Sequence, residues 1–159
     1  MYLRSGNLAK SRDLLTDYSK FLYPSHIKNV LLLGESYILF EEKKYKEALS
    51  TVSKINTKLI TIKIYMRKLI LKLEYELNDY DSNKDSIDNF RHFVKNSNQI
   101  SEIIKKALVE FLDLLNDFVN TKSNEFDDYK FSNLKARAET FNDLLDRSWF
   151  QKQLKKRSP

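Results

Sequence analysis

Glycine occurs only twice in 159 residues and proline only twice, at Gly6, Gly34, Pro24 and Pro159. A sheet protein of this length needs many tight turns. Those turns draw on Gly, Pro and Asn-Gly pairs for backbone angles that other residues avoid. A chain so poor in them folds as long helices joined by short polar turns. The same scarcity excludes phosphate-cradling loops and dinucleotide fingerprints, which need several glycines in one loop. Cysteine is absent, which excludes disulfides, thiolate metal sites and cysteine nucleophiles. At 42% apolar and 13% aromatic residues the chain is too hydrophobic to stay disordered.

Apolar residues recur at helical spacing through seven segments. Segment 7–21 carries Leu8, Leu14, Leu15 and Tyr18, with Leu22 just beyond it. Tyr23-Pro24-Ser25 ends it, because a proline biases the preceding residue away from the helix, and Ser25 is read as the N-cap of the next segment. Segment 26–42 is apolar on more than one face, so it is expected to touch neighbours on two sides. Segment 45–55 has a clean stripe of Tyr45, Ala48, Leu49, Val52 and Ile55. Segment 58–77 opens with the strand-like run Leu59-Ile60-Thr61-Ile62-Lys63-Ile64, yet helical spacing continues through Leu69, Ile70, Leu73 and Leu77. Ser82 is read as the cap of segment 83–95. Segment 101–120 is the most strongly patterned, 121–128 reads as a loop, and 129–145 is the last helix. Trp149 and Phe150 are the large apolar pair of a polar terminal stretch. They are expected to cover the open face of the last two segments, as a terminal repeat must.

The alternation of longer and shorter helices calls for a search for repeats. Leu33-Gly34-Glu35-Ser36-Tyr37 has the L-G-x-x-Y spacing of the first helix of a tetratricopeptide repeat, and Tyr45-Lys46-Glu47-Ala48 has the Y-x-x-A of the second. Small residues at Gly34 and Ala48 let two antiparallel helices approach closely. Tyr37 and Tyr45 stand two residues further apart than the consensus, and the usual Pro after the second helix is missing. Tyr2, Gly6, Leu8 and Ser11 fit the same register, so the chain is expected to begin inside a repeat and to belong to a longer protein. Its open edge, chiefly Leu8, Leu15 and Tyr18, is expected to self-associate or fray. Asn78-Asp79-Tyr80 stands where G-D-Y is usual, with Asn83 in place of the small residue.

Over roughly 25–155 the chain also resembles the C-terminal region of tetratricopeptide-like proteins of unknown function from Bacteroidetes. The carrying stretches are Leu71-Lys72-Leu73-Glu74-Tyr75-Glu76-Leu77, then Ser86-Ile87-Asp88-Asn89-Phe90-Arg91-His92-Phe93-Val94, and Asp146-Arg147-Ser148-Trp149-Phe150. The resemblance implies an all-α fold, a right-handed superhelix of antiparallel helical hairpins with about 7–8 helices, and a scaffolding role. The expected organisation is one repeat domain over 1–150, its first repeat truncated, followed by a basic, disordered tail over 151–159.

Catalytic chemistry has no local signature. His26 and His92 lack metal-ligand spacing. Glu41-Glu42 and Asp127-Asp128 are adjacent pairs in turns, read as solvated. Asp113 and Asp117 stand at i,i+4 and could share a cation, though a plain wet helix face is the simpler reading. No catalytic residue, metal or cofactor is expected, and the chain is read as a non-enzyme. The net charge is +6, with 21 Lys against 7 Arg. Nucleic-acid recognition favours Arg forks, so nucleic acid is an unfavoured partner. No apolar run approaches the ~20 residues of a membrane span, so no membrane partner is expected.

One charge feature stands out. No acid occurs between Ala48 and Leu73, while Lys54, Lys58, Lys63, Arg67, Lys68 and Lys72 lie there. In stacked hairpins the first helix of each pair lines the concave surface. With Asn78 at the turn-glycine position, Tyr65, Lys68, Lys72 and Tyr75 fall on groove-lining positions, as do Lys28, Leu31, Glu35 and Ile38 on the earlier segment. The resulting expectation is a cytoplasmic protein-interaction scaffold that binds a peptide or partner domain through Lys28, Glu35, Tyr65, Lys68, Lys72 and Tyr75. The alternative is a nucleic-acid-binding helical repeat using the basic segment 54–72.

Overall fold

Among the described residues of the computed structural model, eight helices follow one another: α1 (Leu8–Ser19), α2 (Pro24–Glu41), α3 (Tyr45–Val52), α4 (Ile60–Glu76), α5 (Tyr80–Asn96), α6 (Glu102–Ser123), α7 (Asp128–Thr140) and α8 (Leu144–Lys155). The structure describes residues 8–21, 23–123, 128–141 and 144–156, and none of these is in a strand. The expected all-α class is therefore observed. Outside the described residues lie Tyr2 and Gly6 of the expected partial repeat, Leu22, and residues 157–159 of the tail. The side chains of Leu8, Leu144 and Leu145 lie outside them too.

Where one domain over 1–150 is expected, the helices cluster into two compact units, Met1–Asn83 and Lys84–Pro159. In the first unit α2 packs against α1, α3 and α4, and α3 against α4. This is why segment 26–42 is apolar on more than one face. Pro24 opens α2 rather than blocking it. Its missing N–H costs nothing in the first turn, and the restriction falls on Tyr23, which is extended (φ −60°, ψ 135°). Ser25 consequently lies inside the helix and is not its cap.

Gly34 of α2 faces Leu15 of α1. A methyl group there would lie 2.5 Å from both Leu15 Cδ atoms, so the Leu15 side chain would have to shift to admit one. The edge residue expected to be open is thus partly covered, whereas Tyr18 stays largely exposed. The same contact is pinned by charge. Arg12 donates from Nη1 to Glu42 Oε1 at 2.7 Å and from Nη2 to Glu35 Oε1 at 3.0 Å.

The ends of α2 and α4 share one geometry. After α2, Lys43 is left-handed (φ 62°), Lys43 N–H donates to Phe40 C=O and Lys44 N–H to Leu39 C=O. After α4, Asn78 is left-handed (φ 60°), Asn78 N–H donates to Tyr75 C=O and Asp79 N–H to Glu74 C=O. Both are Schellman ends, which satisfy the last carbonyls of a helix. Every partner moves by the same 35 positions, from 43 to 78. The ring pair at each turn moves with them, Phe40 with Tyr45 at 5.6 Å and Tyr75 with Tyr80 at 5.9 Å.

Position 48 also has its counterpart. Ala48 and Asn83 are both fully buried, and Asn83 Nδ2 donates to Leu71 C=O at 2.6 Å. That bond lets an amide take the place of a methyl. Asp79, not Ser82, caps α5, since its Oδ1 accepts from Ser82 N–H at 3.3 Å.

In the second unit α7 packs against α6 and α8. Phe150 is fully buried, with ring centroids of Phe118 at 5.1 Å, Phe141 at 5.7 Å, Phe111 at 5.8 Å and Trp149 at 5.0 Å. The terminal aromatic pair thus covers α6 and α7 as the sequence suggests. The tail does not follow the expectation. Helix α8 runs on to Lys155, because Gln153 and Leu154 lie on its buried side one turn after Trp149 and Phe150. Helix α6 likewise extends to Ser123, into the stretch read as a loop.

Candidate partner-binding surface

The six residues expected to form a groove do not share one accessible surface. Lys28 is exposed on the second turn of α2. Tyr65 is 45% exposed on α4. Glu35 is partly exposed, and its carboxylate is engaged by Arg12. Lys68, Lys72 and Tyr75 are buried, at 8%, 6% and 1% exposure. Tyr75 is a core side chain stacked edge-on to Tyr80, and its flat face is not available to a partner. Two exposed ammonium groups one turn apart are not found at Lys68 and Lys72.

For Tyr75 the physical reason is register. Because the two Schellman ends coincide after a shift of 35 positions, α4 must be read in register with α2. Lys68 then corresponds to Leu33, Lys72 to Tyr37 and Tyr75 to Phe40. Phe40 and Tyr75 are buried in their respective hairpins. The spacing assumed in placing the expected groove residues is two residues shorter than the one that α2 and α4 share. Counting back from Asn78 on the consensus spacing therefore lands two residues off. In the observed register the counterparts of Lys28, Leu31, Glu35 and Ile38 are Lys63, Met66, Ile70 and Leu73. Leu31 and Met66 are both partly exposed, whereas Ile38 and Leu73 are both buried. Helices α2 and α4 touch, and Tyr37 Oη lies 3.4 Å from the Tyr65 carbonyl as its donor.

The basic run is also divided. Lys54 and Lys58 are exposed, Lys63 and Arg67 are partly covered, and Lys68 and Lys72 are buried. Burial pushes the Arg67 guanidinium below its usual pKa. A continuous cationic face for phosphates is not formed by 54–72.

Several charged groups read as solvated are in fact tied. Glu42 accepts from Arg12 and pairs with Lys44 at 3.0 Å. The hydrogen bond from Arg12, then that from Lys44, hold its carboxyl at a pKa of about 2. Asp113 accepts from Arg91 of α5 at 2.7 Å and Asp117 from Arg137 of α7. The two aspartates therefore anchor the helices on either side of α6 instead of sharing a cation. No local motif could reveal these pairs, since Arg12 and Glu42 are 30 residues apart and Arg137 and Asp117 are 20.

His92 is exposed, and His26 is partly covered with its ring edge-on to Tyr23 at 6.3 Å. Among the described residues, no group of three or more His, Cys, Asp or Glu side chains could hold a metal ion. No helix among them is long and apolar enough to cross a membrane. Comparison with protein-family models, with curated proteins and with solved structures gives no match.

Proposed function

We propose that the chain is a non-catalytic protein-interaction scaffold of tetratricopeptide-like character, working in the cytoplasm and binding a peptide segment along α2 and α4. The observation that carries this reading is the 35-position recurrence of the helix ends. It sets two touching helices in one register, so that chemically matched residues recur. A lysine is followed three residues later by a partly exposed apolar side chain, Lys28 with Leu31 and Lys63 with Met66. Tyr65 adds a partly exposed ring on the same helix as Lys63. Such a surface suits a segment that alternates acidic and apolar residues. Methionine and tyrosine contribute adaptable contact area, and lysines steer the encounter.

The test is selection from a displayed library of random peptides against the full chain. Enriched sequences are expected to pair acidic with apolar residues. Lys28→Glu, Lys63→Glu and Met66→Ala are each expected to weaken the selected peptide, with Lys46→Glu on α3 as the control. Selection without enrichment, or binding indifferent to all three substitutions, would sink the reading.

A further inference from the structure

One end of the first unit carries apolar side chains that no core uses. Phe21 is 86% exposed, Tyr23 79%, Tyr18 68% and Leu59 37%. Phe21 and Tyr23 lie at the turn between α1 and α2, Tyr18 in the last turn of α1, and Leu59 just before α4. These two chain segments meet. Asn29, in the second turn of α2, donates from Nδ2 to Asn56 C=O at 2.8 Å and accepts from Asn56 N–H at 3.1 Å through Oδ1. This two-way bond holds the loop between α3 and α4 against the start of α2. The aromatic turn and the loop carrying Lys54 and Lys58 are therefore at the same end. Both lysines are exposed.

Apart from Asp17, the charge at this end has one sign. No acid occurs from Tyr18 to Gly34 or from Ala48 to Leu73. Asp17, one residue before Tyr18, is paired with Lys20 at 2.9 Å. We infer that this tip docks on an anionic lipid bilayer surface, with Phe21, Tyr23, Tyr18 and Leu59 entering the headgroup region and Lys54 and Lys58 facing lipid phosphate and carboxylate groups. This surface adjoins the one along α2 and α4 but uses different residues and does not depend on it. It also differs from a membrane span, which is the only membrane contact that hydropathy tests.

The chemistry favours lipid over the other anionic partners. A bilayer interface takes tyrosine rings with the hydroxyl toward water, and it takes apolar phenylalanine and leucine deeper. Near-complete exposure at a turn suits insertion. Lysines at such a tip act as point charges, which is what a fluid anionic surface requires. An aliphatic leucine offers nothing for a nucleobase to stack on, whereas single-strand binding rests on stacking.

The experiment is co-sedimentation of the full chain with vesicles of phosphatidylcholine alone, or with about one third phosphatidylserine. The chain is expected to sediment with the anionic vesicles only, and to be released by salt. Lys54→Glu with Lys58→Glu should weaken this partition by more than about tenfold, since each lysine near an anionic surface contributes roughly fivefold. Phe21→Ala with Tyr23→Ala should weaken it about tenfold or more. Tyr129→Ala, at an 80% exposed ring in the second unit, should have no effect. All these side chains are exposed, and unchanged circular dichroism confirms folding. The inference is overturned by no partition onto anionic vesicles, by equal partition onto neutral ones, or by partition that ignores both double substitutions. It is equally overturned if those substitutions abolish binding to a single-stranded RNA oligonucleotide, or a dimer, while vesicles stay unbound.

Discussion

The two units hold helices side by side by different means. In the first, a backbone device recurs: a left-handed residue, two hydrogen bonds and a ring pair appear after α2 and again after α4. Side chains at the helix crossings are small or locally satisfied, as at Gly34, Ala48 and Asn83. In the second, ring bulk takes the place of the recurring backbone device, and charge pairs act as Arg12 does in the first. Four rings surround Phe150, and α6 carries two aspartates that grip arginines on flanking helices. Backbone geometry tolerates sequence change, because a turn specifies angles more than side chains. An aromatic cluster does not, because each ring fills a volume that only it can fill.

The largest expected effect is therefore in the second unit. Phe150→Ala should cost about 3–5 kcal/mol, the range for emptying a ring-sized site in a packed core. Trp149 is the only tryptophan, so its fluorescence during urea unfolding reads that unit directly. A transition midpoint unchanged in the variant would show that the ring cluster does not hold the unit together.

Next come the exchanges at the matched positions of the first unit. Ala48→Asn should cost about 1–3 kcal/mol by overpacking a fully buried site. Asn83→Ala should cost only about 1 kcal/mol, because losing the bond to Leu71 is offset by removing a buried acceptor. Asn83 Oδ1 has no hydrogen-bond partner among the described residues. Circular dichroism in urea checks both. Equal costs would mean that the two hairpins are less alike at this point than their backbones are.

A smaller effect of opposite sign is expected at the left-handed residues. Lys43→Gly should stabilise by about 1 kcal/mol, since lysine bears the steric cost of a positive φ that glycine does not. Asn78→Gly should gain less. Asparagine tolerates this region, and Asn78 Oδ1 also accepts from Tyr80 Oη at 2.6 Å. The melting midpoint should rise for the first variant and hardly move for the second.

The smallest effect concerns pH. Glu42 titrates at about 2 in the folded chain against the usual 4.5. The folded state therefore binds fewer protons there than the unfolded one. Its contribution is complete above pH 4.5 and is lost as pH falls toward 2. Glu42→Gln should flatten that part of the stability curve and lower the curve above pH 4.5 without changing its slope there. An acid limb of the same slope in both proteins would show that the Arg12–Glu42–Lys44 network is too solvated to matter.

Much of this was legible from residues alone. Helical periodicity located the first seven helices but not α8, and the scarcity of glycine and proline excluded a sheet. The small residues Gly34 and Ala48 marked the close crossings, and Trp149 with Phe150 marked the terminal cover. These features are local, and local sterics and amphipathicity act within a few residues. Tertiary structure decided what depends on distant partners. It paired Arg12 with Glu42 and Asp117 with Arg137, and continued α8 because Leu154 finds a buried place. It also set the register of α4, which turned Lys68, Lys72 and Tyr75 from expected contact residues into buried ones. A helix of given composition can present any of its faces to its neighbours. Which face is covered depends on the turn that ends the helix and on what packs against it, and neither is written in the spacing of one segment.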